Sequence, residues 1–222
     1  MSTIKIHEAT AGPVASRLLK IGAIRLNYKQ PFTWSSGWKS PIYCDNRLAL
    51  SYPEIRTYIK ENLAQVIRQN FPQVAYIAGV ATAGIPQGAL VADFLGLPFV
   101  YVRPKPKEHG MGNLIEGKIE SGAKVVLIED LISTGMSSLQ AVEAIRQVPA
   151  QVVGVLAIFQ YGMPKATQAF EKAECPFHTL TDFQTIIQVA ADKQIIEHAH
   201  LELLRSWSAD PQAWSDNYMR TH

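Results

Sequence analysis

Apolar and polar residues along this chain alternate between two periods. Val14, Leu18 and Ile21 recur at helical spacing and predict a short N-terminal helix. Residues 22–47 lack a sustained period and predict a loop-rich segment with a short strand or hairpin. Ser51 and Glu54 have the spacing of a capping box, and Pro53 suits a first helical turn. Ile55, Ile59, Leu63, Val66 and Ile67 then mark one apolar face of a helix. Largely apolar runs predict strands at 74–80, 98–102, 124–129 and 152–159, and the four apolar residues 125–128 read as buried on both faces. Between them lie helical patterns at 84–94, closed by Gly96, and, after the Ser133-Thr134-Gly135 turn that follows the third strand, through about Arg146. A helix at 165–173, a short strand at 178–180 and two C-terminal helices complete the pattern. Residues 192–207 read as amphipathic, with Ile195, Ile196, His200, Leu203 and Leu204 on one side.

Strands alternating with helices predict an α/β fold, a mostly parallel central sheet flanked by helices. Neither repeat nor low-complexity linker interrupts the chain, so residues 1–222 are expected to form a single domain. Residues 103–120 are rich in glycine, proline and charge, and are expected to be a mobile loop.

Charge changes the picture little. The 21 basic and 19 acidic residues leave a formal +2, which gives no support for a nucleic-acid partner. Basic residues gather locally instead, at Arg103, Lys105 and Lys107. The two cysteines, Cys44 and Cys175, lack metal-ligand spacing. With no signal-peptide pattern in the first twenty residues and no membrane-length apolar run, a cytoplasmic protein without membrane partners is expected. No dinucleotide fingerprint or P-loop is present.

The chemistry concentrates at residues 125–138. Val125-Val126-Leu127-Ile128 form the strand, Glu129 and Asp130 stand where it is expected to end, and Ser133-Thr134-Gly135 turn into a helix. Ligands of open α/β sheets bind at the carboxyl ends of strands. A helix N-terminus offers free amides and a positive dipole end, which suit a phosphate. Two carboxylates suit sugar hydroxyls, or a magnesium ion with its waters. Together they point to a ligand that is both polyol and phosphate ester. Helix capping alone would explain Asp130 and Ser137, but not the longer combination.

This stretch resembles the phosphoribosyl pyrophosphate (PRPP) signature of the type I phosphoribosyltransferases. The resemblance extends over nearly the whole chain. It is carried also by Phe32-Thr33-Trp34-Ser35-Ser36-Gly37-Trp38-Lys39-Ser40-Pro41-Ile42-Tyr43, by Arg103-Pro104-Lys105-Pro106-Lys107-Glu108-His109-Gly110 and by Leu180-Thr181-Asp182-Phe183. It is similar to the members that act on orotate. The resemblance implies a type I fold with a small N-terminal hood and a mobile catalytic loop. It implies transfer of 5-phosphoribosyl from PRPP to orotate, giving orotidine 5-monophosphate and pyrophosphate, with Mg²⁺.

In that scheme Glu129, Asp130, Leu131, Ile132, Ser133, Thr134, Gly135, Met136 and Ser137 hold PRPP. No protein group is a direct metal ligand, and Glu129 and Asp130 reach Mg²⁺ through water. Arg103, Lys107 and His109 are the catalytic cations that close over pyrophosphate. Their loop would reach into a neighbouring subunit's site, making activity depend on a homodimer. Ser36, Lys39, Tyr43 and Ser133 meet the base, whereas Trp34 and Trp38 read as packing residues. Residues 81–86 form a small-residue loop beside pyrophosphate.

Four positions often basic in the orotate members differ here: Ser35, Ala83, Pro104 and Tyr161. Lys39 or Lys105 is left to supply charge. The same fold could serve a purine or another base, but residues 32–46 and 180–183 favour the pyrimidine. A PRPP-sensing regulator that binds nucleic acid would need an added basic face, which the sequence lacks.

Overall fold

The computed structural model describes residues 4–34, 36–105 and 114–221. Its strands are β1 (Ile4–Ile6), β2 (Ile24–Leu26), β3 (Phe32–Thr33), β4 (Lys39–Ser40), β5 (Ile42–Cys44), β6 (Tyr76–Val80), β7 (Phe99–Val102), β8 (Ile115–Glu116), β9 (Lys124–Ile132), β10 (Gln151–Gln160) and β11 (Phe177–Asp182). Its α-helices are α1 (Glu8–Lys20), α2 (Pro53–Asn70), α3 (Gly84–Leu95), α4 (Met136–Arg146), α5 (Pro164–Lys172), α6 (Phe183–Asp192), α7 (Leu201–Ala209) and α8 (Pro211–Thr221).

Seven strands form one sheet in the order β1-β11-β10-β9-β6-β7-β8. Every neighbouring pair is parallel except β7 with β8. Strand side chains alternate between faces, and the sheet carries a core on each. Val126 and Ile128 pack with Val14, Ile59, Val91, Ile186 and Leu204 from α1, α2, α3, α6 and α7. Val125 and Leu127 pack on the other face with Val142 of α4 and Phe170 of α5. Burial on both faces explains why these strands read as continuous apolar runs.

The sheet order places the site. From β6 the chain passes through α3 to β7 on one side, while β9 pairs with β6 on the other. Strand order therefore reverses between β6 and β9, which opens a crevice at their carboxyl ends. Both the loop after β6 and the turn after β9 lie there. Beside the main sheet, β2 pairs with β5 and β3 with β4, all antiparallel, building the expected small hood from residues 24–44.

Three local expectations change. β9 does not stop at Glu129 but runs to Ile132, because Leu131 and Ile132 continue the ladder opposite Phe159 and Gln160. Ser51 caps nothing: it belongs to a 3₁₀ turn, Asn46–Ser51, and Tyr52 precedes α2 without a side-chain cap, although Pro53 does open the helix. The amphipathic stretch 192–207 is not one helix. α6 ends at Asp192, Gln194 adopts φ 58°, and Ile195 and Leu203 remain exposed while Leu204 is buried.

Candidate active site

Glu129 and Asp130 lie on β9 at the crevice. Glu129 is only 5% exposed. Its Oε1 accepts the Asp130 amide at 3.0 Å, and its Oε2 accepts the hydroxyls of Ser137 at 3.3 Å and Ser138 at 3.4 Å. Burial, and then the charge of Asp130, push its carboxyl up to about 9. Burial also raises Asp130, against the opposing pull of its bond with Glu129, of backbone amides and of Arg47. Burial therefore biases both acids toward their neutral forms. Asn46 Nδ2 donates to the Asp130 carbonyl at 2.8 Å and ties the hood to the acid strand.

The turn after β9 leads directly into α4. Gly135 precedes the helix at φ 80°, and a Cβ there would lie 2.8 Å from the Phe170 ring. Only glycine fits that position. The first-turn amides of α4, following Ser133 and Thr134, have no intrahelical acceptor and suit a phosphate. Met136 is 68% exposed. Ile132, by contrast, is buried in the core, so its side chain is not available to a ligand.

α3 presses against the same point. A Cβ on Gly84 would stand 2.3 Å from the Ile128 carbonyl oxygen and 3.3 Å from Glu129 Cα. This contact brings residues 81–83, which include a cis Ala81–Thr82 peptide, beside the acid pair. Two helix N-termini therefore converge on two carboxylates.

Next to this region is a cavity of about 650 Å³. Ser36, Tyr43 and Ser133 line it. Lys39 does not line it, but its Nζ donates to Thr33 Oγ1 at 2.9 Å, and Thr33 does. Trp34 and Trp38, read above as packing residues, both face the cavity. The sequence reading missed Cys44, Tyr161 and Met163 on its wall, and Asn46 behind it. Burial and the charges of Asp130 and Asp45 push the Cys44 thiol up. Tyr161 is buried against Phe159, Trp34 and Trp207. Asn46 did have a signal, its place in the polar run Asp45-Asn46-Arg47 right after the hood strand.

Arg103 stands at the base of the β7–β8 hairpin, its amide donating to Leu114 O at 2.8 Å and its Nη1 to Glu116 Oε1 at 3.3 Å. Lys105 is exposed. Lys107 and His109 lie outside the described residues.

Among the described residues no three His, Cys, Asp or Glu side chains come together as a metal site. A donor set of two carboxylates fits Mg²⁺ held largely by water and substrate oxygens, rather than in an all-protein cage. Among the described residues no helix is long and apolar enough to cross a membrane.

A mostly parallel sheet whose switch point joins an acid pair to two helix N-termini is a setting suited to a sugar phosphate, and comparison with known proteins names the class as phosphoribosyltransferase. The family model described as the phosphoribosyl transferase domain matches residues 50–194. The chain is 55% identical over 201 residues to the orotate phosphoribosyltransferase of Porphyromonas gingivalis, covering 90% of this chain and 96% of that one. With the orotate phosphoribosyltransferase of Enterococcus faecalis the identity is 52% over 204 residues, 92% of this chain and 97% of the relative. The crystal structure of orotate phosphoribosyltransferase from Aeropyrum pernix superposes with a TM-score of 0.70 at 29% identity, over 79% of this chain and 96% of that one. The chain belongs to the orotate phosphoribosyltransferase family.

Proposed function

We infer that this protein transfers the 5-phosphoribosyl group from PRPP to orotate, forming orotidine 5-monophosphate and pyrophosphate in pyrimidine synthesis. The observation that carries the reading is the buried Glu129–Asp130 pair set against the N-terminus of α4, beside an aromatic-walled cavity of about 650 Å³. The C1–O bond breaks as the ribose gains oxocarbenium-like charge and pyrophosphate leaves as an anion. Such a reaction needs positioning and charge stabilisation more than a protein nucleophile.

Glu129 and Asp130 orient the ribose by accepting from its 2- and 3-hydroxyls. Residues 133–137 receive the 5-phosphate through hydroxyls and first-turn amides. Residues 81–84 offer small side chains and backbone to pyrophosphate. Arg103, Lys107 and His109 supply positive charge to the leaving group. Trp34, Tyr43 and Tyr161 wall the flat ring, with Ser36 and Ser133 as polar contacts and Lys39 answering the base carboxylate. Glu129 and Asp130 would hold Mg²⁺, which when bound would supply positive charge for the leaving pyrophosphate.

We further read the whole chain as one domain and the protein as a cytoplasmic homodimer with shared sites. The functional reading is tested by mixing the protein with PRPP, Mg²⁺ and orotate and following the orotate absorbance. Loss of absorbance that requires all three is expected. Unchanged orotate in the presence of bound PRPP would refute the transfer.

A further inference from the structure

We propose that Ser215, on the last helix, is a positioning residue for recognition of the base carboxylate, acting through Lys39. The proposal rests on the orotate reading above. Among the described residues, no lysine, arginine or histidine lines the base cavity, although orotate carries a carboxylate. Lys39 is one cation tied to that wall, through the 2.9 Å bond of its Nζ to Thr33, and Arg25 is another, 5.0 Å from the centroid of the Tyr43 ring. Thr33 and Lys39 face each other across the two-residue strands β3 and β4, and a hairpin this short is marginal without outside support.

That support comes from the C-terminal helices. Ser215 of α8 is completely buried, and its Oγ accepts the Lys39 backbone amide at 2.8 Å. The same helix sends the Tyr218 hydroxyl to the Lys29 carbonyl at 3.3 Å. On α7, Trp207 is fully buried and meets Trp34 and Tyr161 edge-on, each at 5.7 Å between ring centroids. Both of those rings line the cavity. The Trp207 Nε1 has no hydrogen-bond partner among the described residues, so the residue acts here as a shaped apolar wedge. One face of the base pocket is therefore held from behind by α7 and α8. Both helices lie beyond residues 50–194, the span that the family model matches.

If Ser215 fixes the strand from which Lys39 projects, its loss should weaken recognition of the carboxylate and leave the ribose phosphate grip alone. The test measures equilibrium binding of orotidine 5-monophosphate, uridine 5-monophosphate and PRPP. It compares the full-length protein with Ser215→Ala, Lys39→Ala and the double variant. The two nucleotides differ only in the carboxylate.

The unaltered protein should prefer the carboxylated nucleotide. Ser215→Ala should cut that preference about fivefold, the size of one lost hydrogen bond, with uridine 5-monophosphate and PRPP binding unchanged. Lys39→Ala should abolish the preference, and adding Ser215→Ala should then have no further effect. Equal weakening of all three ligands by Ser215→Ala, or effects of the two substitutions that simply add, would overturn the positioning role. So would an undiminished preference. An unaltered protein that does not prefer orotidine 5-monophosphate would instead refute the orotate reading, and the proposal with it.

Discussion

The amide of Asp130 donates to Glu129 Oε1 at 3.0 Å, so the first acid of the pair folds back on the backbone of the second. This arrangement buries Glu129 beside a like charge and lifts its carboxyl from 4.5 to about 9. The folded chain keeps that proton over a range in which the unfolded chain has lost it, so stability falls as pH rises from about 4.5 through 9. Glu129→Gln removes the slope. Relative to the unaltered protein, this variant should melt higher at pH 8 than at pH 5, by about 2–4 °C for each kcal/mol gained, while binding PRPP more weakly. Melting curves at the two pH values check it, and an identical difference at both would contradict the assigned burial cost.

Asn46→Ala removes the 2.8 Å bond to the Asp130 carbonyl from a fully buried side chain. It should destabilise the protein by about 1–3 kcal/mol in urea unfolding. Because the lost bond holds the acid strand to the hood, KM for PRPP should rise as well. A stability loss with unchanged KM would mean that the bond is purely structural.

Gly84→Ala puts a methyl group 2.3 Å from the Ile128 carbonyl oxygen, where only backbone can move. The cost should be about 3 kcal/mol or more. Gly12→Ala, inside α1 with nothing within 4 Å of the new Cβ, is the matched control. It should stabilise by about 0.5–1 kcal/mol. Chemical denaturation of both variants separates close packing from a general intolerance of substitution at glycine.

Lys107→Ala should lower turnover by orders of magnitude and leave the melting temperature nearly unchanged, as expected of a loop cation that serves the leaving group. Steady-state kinetics decide it, and normal turnover would remove Lys107 from the mechanism.

The mostly parallel sheet and the joining of the acid pair to the start of α4 were legible because single segments encode them. Val125 to Ile128 are apolar on both faces, and Glu129-Asp130 with Ser133-Thr134-Gly135 follow directly in the chain. The cavity beside them was only half legible, because its wall is assembled from distant stretches. Tyr161 follows β10, Cys44 ends β5, and Trp207 backs Tyr161 from α7. No local period announces that such residues will meet. The strand through Glu129 ran longer than its apolar run implied, since pairing with β10 continues past the acids. The apolar face of residues 192–207 was misleading because Gln194 turns the chain at φ 58° before a second helix starts.

The most direct measurement is pyrophosphate release from PRPP and Mg²⁺ with orotate, uracil, adenine, hypoxanthine, guanine and xanthine offered in turn. Release with orotate alone is expected, since the cavity beside Glu129 and Asp130 is read as a pyrimidine site that selects for a carboxylate. Release with a purine and not with orotate would contradict that reading while keeping the ribose phosphate chemistry. Tight PRPP binding without release for any base would contradict catalysis itself.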